Sequence, residues 1–205
     1  MVSKSELAIE LSKLDVFKDA NFKLEQHPTD SEIAALALWE AYMKGDIENK
    51  TIADLGSGTG ILGIGALLLG AKKVIFVEKD KKAIEYLKIN LEKLKAKDYI
   101  IIEKDIKDFH ENTDIIIQNP PFGTKEKHAD REFLIKAFDL SETIYTFHKT
   151  STRGFIKKIS TDYGFNVANI TDFKFPLKNT MSHHKSRIKR IDVSLFLLKK
   201  SKNQA

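Results

Sequence analysis

Residues 51–63 read TIADLGSGTGILG. Thr51–Leu55 is a short strand, and Gly56-Ser57-Gly58-Thr59-Gly60 is a turn that opens a helix over Ile61–Leu69, which Gly70 stops. A glycine turn between a first strand and a first helix is where open α/β sheets take nucleotide-like ligands. The alternation repeats outward from it. Lys73–Val77 is a second strand ending in Glu78, and Asp80 caps a helix to about Leu94. Tyr99–Ile102 is a third strand followed by Asp105, and Thr113–Gln118 is a fourth. A helix over about Arg131–Leu140, a strand at Thr143–Phe147 and a helix over about Thr152–Asp162 follow. Two longer strands, about Phe165–Phe175 and Ile188–Leu198, end the pattern as an antiparallel hairpin. Upstream, Ser3–Leu14 is an amphipathic helix with Leu7, Leu11 and Leu14 on one face. Asp30 or Ser31 caps a second helix to about Lys44, stopped by Gly45, with Ala34, Ala35, Leu38, Trp39 and Tyr42 as its buried stripe. The expected fold is α/β: a doubly wound, mostly parallel, seven-stranded Rossmann-like sheet with a helical N-terminal extension.

Two ligands compete for the turn. Gly58-Thr59-Gly60-Ile61-Leu62-Gly63 fits the dinucleotide fingerprint, which implies a nicotinamide enzyme. Gly56, Gly58 and Gly60 after Asp54 fit S-adenosylmethionine instead. Electrostatics decides between them. A pyrophosphate needs helix N–H groups and no nearby anion, and Asp54 stands beside the turn. An amino-acid ammonium suits Asp54. Glu78 can accept from both ribose hydroxyls, Asp105 can accept from the adenine amine, and Ile106 can cover its ring. Leu62 completes this cofactor set. Taken singly, these acids read as a capped turn and surface carboxylates. Three acids at three successive strand ends are hard to explain so.

The fourth strand stops at Asn119-Pro120-Pro121-Phe122. Neither proline has an N–H to continue a ladder, so the carbonyls here are not claimed by a following strand. Asn119 adds a side-chain amide, and Phe122 a flat apolar face. Acceptors beside an aromatic ring suit a planar base with an exocyclic amine. An isolated Asn-Pro-Pro is ordinarily a turn. Beside a methyl-donor crevice it points to methylation of an amine on a planar group.

The chain has 205 residues, room for one α/β domain with a proper core. It has no cysteine, which excludes disulfides and thiol catalysis and disfavours a zinc site. No apolar run approaches the roughly 18 residues of a membrane span, and Met1–Leu14 has no leader pattern, so a cytoplasmic protein fits. The net charge is +5, thickening at Lys178–Arg190, which is compatible with a nucleic-acid partner. Lys185, Arg187, Lys189 and Arg190 read as a phosphate-binding face, against the plain alternative of a solvated lysine-rich surface. His148, His183 and His184 have no evident role as a base; each reads as a phosphate contact or an ordinary surface residue, with the second favoured.

The chain resembles the class I methyltransferases with an Asn-Pro-Pro-Phe active site, and more closely the methyltransferase-like protein five family with its archaeal relatives. The matching stretches are LEQHPT (24–29), DLGSGTG (54–60), NPPFGTK (119–125), TFHKTSTR (146–153) and HHKSRIKRIDVSLF (183–196). The resemblance implies an adenine-N6 methyltransferase of small-subunit ribosomal RNA. It implies one domain over 1–205, with helices and a cofactor lid in 1–48 and the Rossmann-like core in 49–198. Gln26 and Thr29 then close over the cofactor, which Asn119 also touches; within the catalytic tetrad Asn119, Pro120, Pro121 and Phe122, Asn119 and the Pro120 carbonyl hold the target amine, and Phe122 stacks on the adenine. It also implies a small zinc-binding activator protein that adds a strand beside Tyr99–Ile102. The alternatives are DNA adenine, a protein glutamine amide, or a non-catalytic RNA-binding module. A DNA enzyme usually needs a target-recognition domain, for which 205 residues leave no room. A glutamine enzyme needs no basic surface, and an intact tetrad argues against decay.

Overall fold

The computed structural model describes residues 2–16, 29–121, 129–177 and 189–201. Capping chemistry sets where the first helices begin. The Ser3 hydroxyl accepts from the Glu6 N–H at 3.3 Å, and the Glu6 carboxylate accepts from the Ser3 N–H at 2.7 Å. This reciprocal pair makes Ser3 the cap of α1 (Lys4–Ser12) rather than its first residue. Asp30 caps α2 (Ser31–Met43) by accepting from the Glu32 and Ile33 N–H groups at 3.0 and 3.4 Å. Gly45 then leaves the helix at φ +76°.

The alternating pattern follows as β1 (Thr51–Leu55), α3 (Ile61–Leu68), β2 (Lys73–Glu78), α4 (Lys81–Lys93), β3 (Tyr99–Glu103), β4 (Ile115–Gln118), α5 (Ala129–Leu140), β5 (Thr143–Lys149), α6 (Arg153–Asp162), β6 (Phe165–Leu177) and β7 (Lys189–Lys200). One seven-stranded sheet has the order β3-β2-β1-β4-β5-β7-β6. The first five strands are parallel, and β7 runs antiparallel between β5 and β6. β3 is therefore one edge and β6 the other.

Three of the boundaries that differ from expectation have plain physical reasons. β4 begins at Ile115 because the residues before it have other bonds: the Asp114 carboxylate accepts from the Thr51 N–H at 2.8 Å, and the Thr113 hydroxyl donates to the Ile115 carbonyl at 3.1 Å. β5 continues through His148 and Lys149 because β7 pairs with it as far as Lys149↔Val193. β6 continues through Pro176, which an edge strand tolerates.

Helices cover both faces of the sheet. On one face α1, α2, α3 and α4 bury Leu7, Leu11, Ala34, Leu38, Ile64 and Leu87 against Ile52, Phe76, Ile117 and Phe147. On the other, α5 and α6 bury Leu134, Phe138 and Ile156 against Leu55, Ile75, Ile116 and Phe196. Trp39 and Tyr42, expected in the core, are half-buried at its margin, their rings 5.4 Å apart. α3 lies so close to the sheet that a Cβ on Gly63 would strike the Phe76 ring. This close approach places the N-terminus of α3 against the C-terminal end of β1.

Candidate active site

The parallel strands deliver their C-terminal ends to one edge of the sheet, and the sequence-predicted acids stand there. Asp54, near the end of β1, is 1 % exposed, and its Oδ2 accepts from the Gly63 N–H of α3 at 2.8 Å. Burial pushes its carboxyl up to about 7, the Gly63 N–H opposes the rise, and the Glu78 charge adds to it. Asp54 is thus a buried acid held between its two protonation states near neutrality, which an incoming cation would ionise.

Glu78, the last residue of β2, shapes the glycine turn. Its Oε2 accepts from the Gly58 N–H at 2.8 Å, and its Oε1 accepts from the N–H groups of Lys79 and Asp80 at 2.8 and 2.9 Å. The Val77 carbonyl accepts from the N–H groups of Gly56 and Ser57 at 2.8 and 3.1 Å. The turn is laced to β2 from both sides. Gly60 ends it at φ +91°, and a side chain there would collide with Leu87, so only glycine fits. Leu62 is buried in the core behind the turn.

Asp105 caps a short 3-10 turn, Ile106–Asp108, by accepting from the Lys107 N–H at 3.1 Å, and it pairs with Lys79 Nζ at 3.0 Å. Partial burial raises its carboxyl, but the Lys107 N–H and the Lys79 ammonium outweigh that and hold it below the usual range. A ligand amine reaching Asp105 meets a carboxylate already engaged by a lysine. Ile106 is 6 % exposed beside it.

Asn119 follows β4. Its Nδ2 donates to the Thr29 hydroxyl at 2.9 Å, which joins the residue preceding α2 to the Asn-Pro-Pro turn. Its Oδ1 is buried and has no hydrogen-bond partner among the described residues. A buried acceptor without a donor is costly, of order 1–3 kcal/mol, so this oxygen is set for a donor brought by a ligand. Pro120 is buried and Pro121 half-buried. Gln26 and Phe122 lie outside the described residues, as do His183, His184, Lys185 and Arg187.

Three features were not read from the sequence. Ser57 Oγ, inside the glycine turn, is also buried without a partner among the described residues. Asn90, fully buried in α4, donates to the carbonyls of Thr59 and Asp15 at 3.0 Å each and accepts from the Asp15 N–H at 2.7 Å. It ties the turn to the segment after α1, and its place between Leu87 and Leu91 on the apolar face of α4 was the available signal. His148, expected at the surface, is 1 % exposed within the sheet. The polar run around it disguised a strand whose inward side chains bond to one another.

The residues fit S-adenosylmethionine. Asp54 offers a buried acid for an ammonium, Glu78 a carboxylate at the turn, and Gly58 a backbone where a Cβ meets nothing within 4 Å among the described residues. Among the described residues no group of His, Asp and Glu side chains has the arrangement of a metal site, and no helix is long and apolar enough to cross a membrane.

Strand order, glycine turn and acid-lined edge together define a Rossmann-like class I methyltransferase. Residues 23–161 match the family model described as conserved hypothetical protein 95. The chain is 35 % identical to an uncharacterized protein of Methanocaldococcus jannaschii, over 98 % of this chain and 95 % of that protein. It is 32 % identical to the rRNA N(6)-adenosine-methyltransferase METTL5 of Danio rerio, over 93 % of this chain and 96 % of that one. A Pyrococcus horikoshii crystal structure, of a protein classed provisionally as an RNA methyltransferase, superposes with a TM-score of 0.90 at 44 % identity, covering 98 % of this chain and all of that one. The chain belongs to the methyltransferase-like protein five family, within the conserved hypothetical protein 95 group.

Proposed function

We propose that this protein transfers a methyl group from S-adenosylmethionine to N6 of an adenine in RNA, and that the RNA is that of the small ribosomal subunit. The observation that carries the reading is Asn119. Its amide nitrogen is committed to Thr29, and its buried Oδ1 is left as an acceptor beside a turn whose prolines have no N–H to extend the strand. An exocyclic amine has two N–H donors, and Asn119 Oδ1 with the Pro120 carbonyl supplies two acceptors. Adenine N6 is a weak nucleophile because its lone pair is delocalised into the ring. Accepting both N–H groups favours a more tetrahedral nitrogen and aims the lone pair. When bound, S-adenosylmethionine supplies a methyl group already activated by a sulfonium. The protein's share is orientation, which can contribute several kcal/mol. His148 is not the base, since burial pulls its pKa down to about 3. A base inside a helix must be flipped out to reach the site. The relatives named as rRNA adenosine methyltransferases support the substrate class. The deciding experiment incubates the protein with labelled S-adenosylmethionine and RNA, DNA or protein, then digests and identifies the product. N6-methyladenosine in RNA is expected, and label in glutamine or only in DNA would overturn the reading.

The proposal extends to a single domain over 1–205, a cytoplasmic setting and a partner. β3 is an edge strand with Tyr99 and Ile100 exposed at 37 % and 40 %. Such an edge offers unpaired N–H and C=O groups to another strand. The small zinc-binding activator implied by the family resemblance would pair there.

A further inference from the structure

β4 is apolar until its last residue. Ile115, Ile116 and Ile117 are at most 3 % exposed, and Gln118 is 0 % exposed. Gln118 shares its face of the strand with Ile116, under α5 and α6, whereas the Asn119 amide meets Thr29 before α2. Gln118 Nε2 donates to Thr146 Oγ1 at 3.0 Å, and that hydroxyl lies 2.9 Å from His148 Nε2. Gln118 supplies the N–H to the Thr146 hydroxyl, and that hydroxyl shares one hydrogen with His148 Nε2, in the direction set by the imidazole tautomer. The His148 ring packs edge-on to Phe196, with centroids 5.9 Å apart. Thr146 is fully buried and His148 is 1 % exposed.

Gln118↔Thr146 is also the last backbone pair of the β4–β5 ladder. Pro120 and Pro121 cannot extend that ladder, because they lack N–H groups. A dry chain of polar side chains is costly compared with apolar packing, the more so here because Gln118 Oε1 has no hydrogen-bond partner among the described residues, and the bonds from Gln118 Nε2 through Thr146 to His148 are what fix its geometry. Here it stands where the backbone stops fixing geometry and the amine-binding turn begins.

We infer that Gln118, Thr146 and His148 are positioning residues for methyl transfer: their relay takes over from the β4–β5 ladder and sets the direction in which Asn119 and the Pro120 carbonyl leave the sheet. The inference rests on the amine-methylating function proposed above. Thr29 holds the Asn119 side chain, and the relay holds the strand that carries it. Loosening the strand end misaligns the acceptors during the reaction and affects binding of either substrate less.

Thr146→Val keeps the side-chain shape and deletes the bridging hydroxyl, while Thr146→Ser keeps the hydroxyl. On RNA that the wild type methylates, Thr146→Val is expected to lower kcat by about tenfold or more, with KM for RNA and Kd for S-adenosylmethionine within about twofold, and Thr146→Ser to restore kcat to within about threefold. A purely structural role would instead lower the melting temperature and shift kcat and both affinities together. If Thr146→Val does not fold, Gln118→Met decides the question, since it removes the amide and leaves the Thr146–His148 bond. Unchanged kcat, or an equal loss in kcat and cofactor affinity, overturns the relay. A wild type that methylates no RNA overturns the proposed function and this inference with it, so the wild-type reaction separates the two failures.

Discussion

Asn119 is the residue whose loss is most specific. Asn119→Ala removes the buried acceptor and the bond to Thr29 together. Methyl transfer is expected to fall below detection while calorimetric affinity for S-adenosylmethionine falls far less, since the amide acts on the acceptor amine. Near-normal turnover would end its assigned role. Asp54 gives a pH signature. Its carboxyl sits at about 7 because it is buried, and an ammonium ligand binds the ionised form. Affinity for S-adenosylmethionine is therefore expected to rise about tenfold between pH 6 and pH 8 as the acid ionises, and to be weak and flat in Asp54→Asn. A wild-type affinity independent of pH across that range would place the ammonium elsewhere. Stability moves oppositely to affinity: the folded chain keeps the Asp54 proton from the unfolded value near 4 up to about 7, so its contribution is lost as pH rises through that window. At this scale the sequence was legible where residue type implies chemistry. Asp54 and Asn119 have the side chains their proposed roles need, and the structure places each at a strand end. Gln118 and Asn90 were not legible, because an amide in an apolar run does not reveal whether a buried partner faces it, and His148 was not, because the polar run around it disguised a buried strand.

Elements were easier to read than side chains. Most strands and helices follow from a run of apolar residues bounded by glycine, a capping acid or proline, and that local chemistry survives folding. The errors lie at ends settled by distant partners: β7 lengthens β5, and Asp114 leaves β4 to bond the start of β1. The edge position of β3 carries an element-scale prediction. Ile100 is 40 % exposed, whereas Ile102 packs against the core under α5. Ile100→Lys is therefore the cleaner probe, as it charges the edge without disturbing the interior. The wild type is expected to co-purify with a small zinc-binding activator, and Ile100→Lys to lose it while its circular dichroism and melting temperature are retained. A wild type that is monomeric, soluble and indifferent to the activator would show that the edge needs no added strand.

The molecule as a whole is lopsided in the direction of its active edge. β5 ends at Lys149, opposite Val193, but β6 and β7 go on pairing to Leu177↔Lys189. At about 3.3 Å per residue the hairpin stands roughly 13 Å beyond β5, on the side where β1, β2 and β4 also end. Its base is fastened at the same edge: the Arg153 guanidinium donates to Asp172 and to Ser194 Oγ, and Ser194 Oγ donates to Asp172 at 2.6 Å. These hydrogen bonds from Ser194 and Arg153 hold the Asp172 carboxyl below its usual range. Beyond Phe175 the sequence carries Lys178, Lys185, Arg187, Lys189 and Arg190 before the next acid, Asp192. Asp192 pairs with Lys174 at 2.5 Å, while Arg190 is exposed. A stretch of sequence between β6 and β7 whose cations outnumber its acids suits a phosphate backbone approaching the crevice. The alternative is a solvated stretch that touches no RNA. The two differ in salt dependence rather than in affinity at one ionic strength. If Lys185, Arg187, Lys189 and Arg190 bind phosphates, replacing each with alanine should weaken RNA binding at low salt. It should also flatten the slope of log affinity against log salt by about 0.7–0.9 for each phosphate no longer neutralised. S-adenosylmethionine affinity should stay unchanged, because Asp54, Glu78 and the glycine turn belong to β1, β2 and α3 rather than to the hairpin. The measurement is a salt series by filter binding or fluorescence anisotropy on the wild type and the fourfold variant. Parallel slopes would show that these four cations are only solvated, and that the RNA is held elsewhere along the edge.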